Sequence, residues 1–326
     1  MEHLKRIVFA SIAVLLFFGG AEVLLRVMDF PAQDERPTFE HNSVYWQVDP
    51  SLNEQPMTHK ELRSTFAVST DSNGFRPPHG EPAPQTFRIA AMGCSTTFGW
   101  GVADEDTYPA QLQAILHERG YPSVQVLNAG QPGYTSFQGL WLWDQGLDQM
   151  DIDLVLAGFV VQDAREVAYS DKSQAMMQGE ADFLKSNLLY KWRMYQMLQT
   201  SMGAVQTRAK EHGSIHRVPE AEFLENLRAL RAKIQSSGGE IAHFGYPLEV
   251  AGYTEAHRRL LRLEAQDKGL AHFDPSEQIA ARVRAGEPLY FAPKDPGHAN
   301  AAGNRAIAEL VADWLISEQL IPKETQ

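Results

Sequence analysis

From residue 87 onward, short apolar runs alternate with longer amphipathic segments, and this alternation constrains the fold more than any other feature of the chain. Phe87–Met92 predicts a buried strand, Tyr108–Arg119 a helix ended by Gly120, Val124–Leu127 a second strand and Phe137–Leu147 a helix. Ile152–Val161 is almost continuously apolar, which predicts a third strand buried on both faces. Pro219–Gln235 predicts a helix before Gly238-Gly239, Ile241–Phe244 a strand, Thr254–Lys268 a helix ended by Gly269, and Ala299–Ile316 the closing helix. Strands that alternate with helices predict a parallel sheet covered on both faces. Ligand sites of such sheets form at the carboxyl ends of the strands. The segments that leave those ends are therefore where chemistry is expected.

Ahead of this region lie two different stretches. Ile7–Ala21 is an uninterrupted apolar run preceded by Lys5 and Arg6, and Val23–Leu25 resumes it after Glu22. A spanning helix needs about 20 apolar residues and a signal-peptide core about 7–15. Gly19-Gly20-Ala21 offers a small-residue cleavage pattern, whereas the continuation through Leu25 favours a retained anchor. With the basic residues left in the cytoplasm, the expectation is a single-pass inner- or plasma-membrane protein whose catalytic domain lies in the periplasm or extracellular space. Residues 31–84 are polar and rich in turn formers, including Asn73-Gly74-Phe75-Arg76, and Pro77, Pro78, Pro82 and Pro84 predict a stiff connector. The expected organisation is an anchor at 1–30, an irregular lead-in and connector at 31–84, a catalytic domain at 85–318 and a tail at 319–326.

Charge narrows the partners. The chain has 29 Lys+Arg against 41 Asp+Glu in 326 residues, a formal net charge of -12. Lys5, Arg6 and Arg26 balance Glu2, Glu22 and Asp29, so all of the excess lies after residue 30. Such a surface repels phosphate backbones, and no nucleic-acid partner is expected. Cys94 is the lone cysteine, so no internal disulfide and no thiolate zinc cluster can form. The histidines show neither HExxH nor Cys/His ligand spacing, and no metal site is expected.

Four segments carry candidate chemistry. Phe87–Met92 runs into Gly93-Cys94-Ser95-Thr96-Thr97, which places a serine hydroxyl at the carboxyl end of a strand, before a helix. On its own this segment also reads as a Ser/Thr-rich helix cap. A nucleophilic serine needs a base, and the base needs an orienting acid. Asp295-Pro296-Gly297-His298 supplies both on what reads as a tight Pro-Gly turn before the closing helix, where Asn300 is placed to cap. Gly133 follows the second strand and Gln162-Asp163 the third, so a backbone N–H and a side-chain amide are expected at the same sheet edge. These are the two donor types of an oxyanion hole.

Together, over residues 87–317, the four segments resemble the SGNH/GDSL hydrolase superfamily. Gly93-Cys94-Ser95 looks like its nucleophile block, Gly133 its glycine block, Gln162-Asp163 its Asn-Asp block and Asp295–His298 its Asp-x-x-His block. The anchor and Asn73–Arg76 resemble a membrane-tethered, exported branch. The resemblance implies an α/β class, three-layer α/β/α flavodoxin-like fold with a central parallel sheet. It implies Ser95 as nucleophile, His298 as base and Asp295 as orienter. The oxyanion hole would combine the Ser95 and Gly133 N–H groups with the Gln162 amide. Two positions depart from the pattern: Cys94 stands in place of aspartate and reads as a small buried thiol, and Gln162 stands in place of asparagine, one methylene longer.

The implied activity is that of a serine esterase acting on O-acyl, especially acetyl, esters of a carbohydrate or envelope glycan, with no metal or organic cofactor. An O-acyltransferase and a catalytically weak glycan- or protein-binding domain are the alternatives. The Leu/Met/aromatic stretch at 181–207 reads as a core or lid helix with a hydrophobic acyl-binding surface as the alternative. Arg258, Arg259 and Arg262 read as a solvated helix face, Arg76 as a structural arginine, and Trp100 as lining the cleft.

Overall fold

A computed structural model of the chain describes residues 2–28, 30, 38–40, 44–77, 86–178, 192–195, 197, 214–249 and 252–323. The chain divides into two compact units, Met1–Arg36 with Ser173–Ser214, and Pro37–Lys172 with Ile215–Gln326. The expected connector at Pro78–Pro84 and most of the 181–207 stretch lie outside the described residues.

In the first unit, α1 (Glu2–Val27) is a continuous helix. Its Val8–Val27 segment is long and apolar enough to cross a membrane, and none of it is buried. Glu22, the one acid in that run, accepts the backbone N–H groups of Arg193 at 3.0 Å and Met194 at 3.1 Å and pairs with Arg26.

The second unit is built on a five-stranded parallel sheet. Its strands are β1 (Phe87–Gly93), β2 (Val124–Gly130), β3 (Leu154–Gly158), β4 (Glu240–Phe244) and β5 (Ala271–Phe273), in the spatial order β5-β4-β3-β1-β2. Every residue of β3 is buried, as an apolar run covered on both faces requires. The order places β1 at the point where the strand sequence reverses direction across the sheet. This is the flavodoxin-like arrangement, whose sites form at that switch point.

The crossover connections between these parallel strands divide the helices between two faces. Helix α2 (Tyr108–Glu118) packs on the closing helix α6 (Ala301–Ser317), while α3 (Ser136–Asp144) packs on α4 (Glu220–Ser236) and α4 on α5 (Glu255–Lys268). The three-layer α/β/α architecture implied by the resemblance is therefore present. Its core is one cluster running from Ile89 and Met92 on the sheet to Leu112, Phe223, Ile307 and Leu315 on the helices.

Several local expectations need correction. The apolar run Ile152–Val161 is strand only as far as Gly158; Val160–Asp163 turns into a short helix, so Gln162 leaves the sheet on a helical turn. Asp295–Ala299 is an irregular strand paired with Tyr290–Phe291, not a tight turn. The lead-in is not irregular throughout: Thr38–Glu40 pairs with Trp46–Val48, and Gln55–His59 forms a hairpin with Ser64–Val68. Val48, Met57, Phe66 and Val68 build a second small core there with Phe98. Arg258 is buried against the Asp274 carboxylate and the Thr254 hydroxyl, while Arg259 and Arg262 are exposed as expected.

Candidate functional site

Three strands end in register. Gly93 of β1 pairs with Gly130 of β2 on one side and with Gly158 of β3 on the other. Ser95 follows Gly93 by two residues, Gly133 follows Gly130 by three, and Gln162 follows Gly158 by four. All three therefore leave the same edge of the sheet, at its switch point.

Ser95 opens a single helical turn, Ser95–Phe98, after Cys94 in extended conformation. That turn lies directly over the end of β2, because a Cβ on Gly130 would come within 2.3 Å of the Phe98 amide nitrogen. Only glycine permits this approach. The turn is held from below by Arg76, which is fully buried and donates to the carbonyls of Phe98 (3.0 Å), Gly99 (2.9 Å) and Val102 (3.0 Å). Its Nε pairs with Asp104 at 2.8 Å. Burial presses the Arg76 guanidinium down, and Asp104 opposes that by stabilising its charge. Arg76 is a structural arginine, as its sequence setting suggested, and the load it carries is the Ser95 turn. Cys94 is fully buried behind Ser95, with Sγ 3.2 Å from the Thr96 hydroxyl, and burial pushes its thiol up. A thiol kept neutral in this way is a poor nucleophile.

His298 and Asp295 reach Ser95 from the other end of the chain. The Ser95 hydroxyl lies 2.8 Å from His298 Nε2, and His298 Nδ1 lies 2.6 Å from Asp295 Oδ2. The Gly297 N–H donates to the other Asp295 oxygen at 3.0 Å, and Asn300 caps α6 through the Gly303 amide at 3.0 Å. Burial works against the Asp295 charge, but the His298 hydrogen bond and charge, the Gly297 N–H and the nearby His59 together hold the carboxyl below its ordinary range. An ionised Asp295 accepts Nδ1–H and leaves Nε2 as an acceptor for the serine hydroxyl. Such a relay can remove the serine proton as the oxygen attacks a carbonyl.

Gly133 and Gln162 are joined by a residue with no motif around it. Arg217 Nη1 donates to the Gly133 carbonyl at 2.7 Å and to Gln162 Oε1 at 3.2 Å. The same guanidinium grips both Asp171 oxygens at 2.9 Å. With its oxygen engaged, the Gln162 carboxamide is left with its two N–H donors. Gly133 is in the left-handed region, φ 82°. The loop around it is pinned by the lead-in: the Trp46 indole donates to the Pro132 carbonyl at 3.0 Å, and the Val48 amide to Gln131 Oε1 at 2.9 Å. Asp163 is fully buried and accepts the Ser136 N–H at 3.0 Å at the start of α3. Burial pushes its pKa up to about 8, although the Ser136 hydrogen bonds counteract part of that.

The structure thus brings Ser95, His298 and Asp295 into one hydrogen-bonded chain and ties Gly133 to Gln162. Trp100 packs edge-on against Phe66 of the hairpin, ring centres 5.2 Å apart. His59, from the same hairpin, lies 3.0 Å from Asp295 Oδ2 and was not singled out in the sequence. His59, Asp295 and His298 place three ligand-type atoms within 4.8 Å. The 2.6 Å between His298 Nδ1 and Asp295 Oδ2 suits a hydrogen bond. Two ligands of one tetrahedral zinc would stand about 3.4 Å apart.

No family model matches the chain, and no curated protein does. Its similarity is to solved structures. A putative lipolytic protein of the G-D-S-L family from Desulfitobacterium hafniense DCB-2 is 15% identical, with a TM-score of 0.46, over 71% of this chain and 100% of that one. The lipase/acylhydrolase from Enterococcus faecalis is 15% identical, with a TM-score of 0.49, over 74% of this chain and 100% of that one. The acetyl xylan esterase AlAXEase is 15% identical, with a TM-score of 0.45, over 71% of this chain and 99% of that one.

Proposed function

We propose that the chain is a serine esterase of the SGNH/GDSL type. The observation that carries this reading is the continuous relay from the Ser95 hydroxyl through His298 to Asp295, at 2.8 and 2.6 Å, at the switch point of a flavodoxin-like sheet. Ser95 Oγ attacks the ester carbonyl carbon while its proton passes to His298 Nε2. The resulting oxyanion is met by the N–H groups of Ser95 and Gly133 and by the Gln162 amide. Collapse of the intermediate expels the alcohol, which takes the proton back from His298, and leaves an acyl-Ser95. Water then gives a proton to His298 as it attacks the acyl carbon, and Ser95 Oγ takes that proton as the acyl bond breaks, which releases the acid and restores the free serine.

Support for Gln162 in this role comes from Arg217. The extra methylene relative to asparagine has to be re-aimed, and a guanidinium on Oε1 does that by fixing which end of the amide faces outward. The finer reading is an O-acetyl ester on an envelope carbohydrate. It rests on the membrane-length helix, which would place the domain among such glycans, and on the acetyl xylan esterase among the similar structures.

The test is labelling of the full chain with a fluorophosphonate probe, which reacts only with an activated serine. Wild-type protein is expected to take one label, and Ser95→Ala none. Equal labelling of the two, or none of either, overturns the reading. Product analysis on an acetylated oligosaccharide, with and without an added unacetylated acceptor, then separates hydrolysis from transfer.

A further inference from the structure

His59 is fully buried, although it belongs to a hairpin outside the central sheet. Its ring is enclosed by Phe291, His298 and Trp100, with ring centres 5.5, 6.3 and 6.4 Å away. The Leu62 amide approaches Nδ1 at 3.4 Å, so Nδ1 is the acceptor and Nε2 carries the proton. Glu61 Oε2 is also 3.4 Å from Nδ1, on the exposed side. Nε2 makes no hydrogen bond among the described residues, and Asp295 Oδ2 lies 3.0 Å from it, at ion-pair distance but outside hydrogen-bond alignment. A buried ring N–H this close to a carboxylate acts on it electrostatically, and stabilises its charge, without a hydrogen bond.

We propose that His59 is a positioning residue of the site, sharing Asp295 Oδ2 with His298 and thereby setting how strongly that carboxylate holds the His298 proton. This rests on the serine-esterase reading. Three N–H groups surround the carboxylate: His298 Nδ1 at 2.6 Å and the Gly297 amide at 3.0 Å hydrogen-bond to it, and His59 Nε2 stands 3.0 Å from Oδ2 at ion-pair distance. Each takes a share of its charge. Without His59, Asp295 acts more fully on His298, raises its proton affinity and leaves more of the base protonated at neutral pH. The sign is the same whether His59 is neutral or cationic, because removing either a donor or a positive charge strengthens Asp295 on His298. The titratable groups facing this cluster are Glu61 on the hairpin and Asp295 and His298 on the strand before α6.

The experiment is the pH dependence of kcat/KM for p-nitrophenyl acetate with the full chain in detergent. His59→Phe, which keeps the packing but removes the donor, is expected to shift the acid limb upward by about half a pH unit. It should lower kcat/KM at pH 7 by about two- to threefold, carried by kcat, with KM unchanged. His59→Gln, which keeps a donor, should recover most of both. A folded His59→Phe whose acid limb stays in place overturns the proposal, while wild-type turnover and Ser95 labelling still uphold the esterase reading. Independently of turnover, and if His59→Phe does not fold, 15N-histidine NMR of the wild-type chain reads the tautomer. A proton on His59 Nε2 supports the proposal, and a bare Nε2 with Nδ1–H overturns it.

Discussion

Gln162 is the residue on which the proposed chemistry is most exposed, because an oxyanion donor is effective only where it is aimed. Arg217 holds the oxygen of its carboxamide and is itself held by both oxygens of Asp171. Replacing Gln162 by Ala removes the donor and is expected to cost about 10²–10³ in kcat. Arg217→Met leaves the donor but frees it to rotate, with an expected loss of about 10–100-fold in kcat and little change in KM. In the double variant the Arg217 change should add little to the Gln162 change, since the group it positions is gone. Steady-state kinetics of the four forms measure this coupling, and fully multiplicative losses would show that Arg217 acts elsewhere. Residues of this kind mark the limit of what could be read from the chain. Ser95, Asp295, His298 and Gly133 stand in short segments with glycine or proline neighbours that announce a turn at a strand end. Arg217 and His59 have no such setting, and their positions depend on how distant segments meet: Arg217 is 84 residues from Gly133, and His59 sits on a hairpin that approaches Asp295 from outside the sheet.

At the scale of elements, the alternating pattern after residue 87 was enough to place four of the five sheet strands and the helices α2 to α6 within a few residues. The errors have physical causes. Apolar content alone cannot separate a buried strand from a buried helical turn, which is why the run predicts strand through Val160 and Val161, where the chain is helical. The three-residue β5 is only half-buried and offers too little pattern to detect. The hairpin of the lead-in hides its alternation because only every second residue, such as Met57 and His59, is buried, among polar neighbours. What joins that lead-in to the sheet is Arg76, which caps the carbonyls of the Ser95 turn and bridges to Asn128 on β2. Arg76→Met would remove a charged donor from each of those carbonyls and leave the Asp104 carboxylate without its ion-pair partner. The expected loss is about 3–5 kcal/mol of unfolding free energy, read as a lower denaturant midpoint. Loss of fluorophosphonate labelling should accompany it, because the turn that presents Ser95 loses its support. A midpoint within experimental error of the wild type would mean that Arg76 contributes nothing to holding the turn.

At the scale of the whole molecule, charge and hydrophobicity are divided between segments. Residues 1–30 are neutral overall and contain the one described helix long and apolar enough to cross a membrane, while the remainder carries the net charge of -12. An acidic domain gains nothing from an anionic lipid surface, so α1 is the segment expected to provide any attachment to a membrane. Lys5 and Arg6 lie at its start, and basic residues flanking a span are retained on the cytoplasmic side. On that rule the domain with Ser95 is expected on the other side. An alkaline phosphatase fused after Gln326, which is active only after export, is expected to be active, and the same position fused to a cytoplasm-dependent reporter is expected to be dark. The membrane fraction should retain the fusion through an alkaline carbonate wash, because a helix with an unburied apolar surface along Val8–Val27 leaves lipid only at a large hydrophobic cost. Release of a shortened product into the soluble exported fraction would instead identify Gly19-Gly20-Ala21 as a cleavage site. Activity of the cytoplasmic reporter alone would reverse the orientation and, with it, the argument that the ester substrate belongs to the cell envelope.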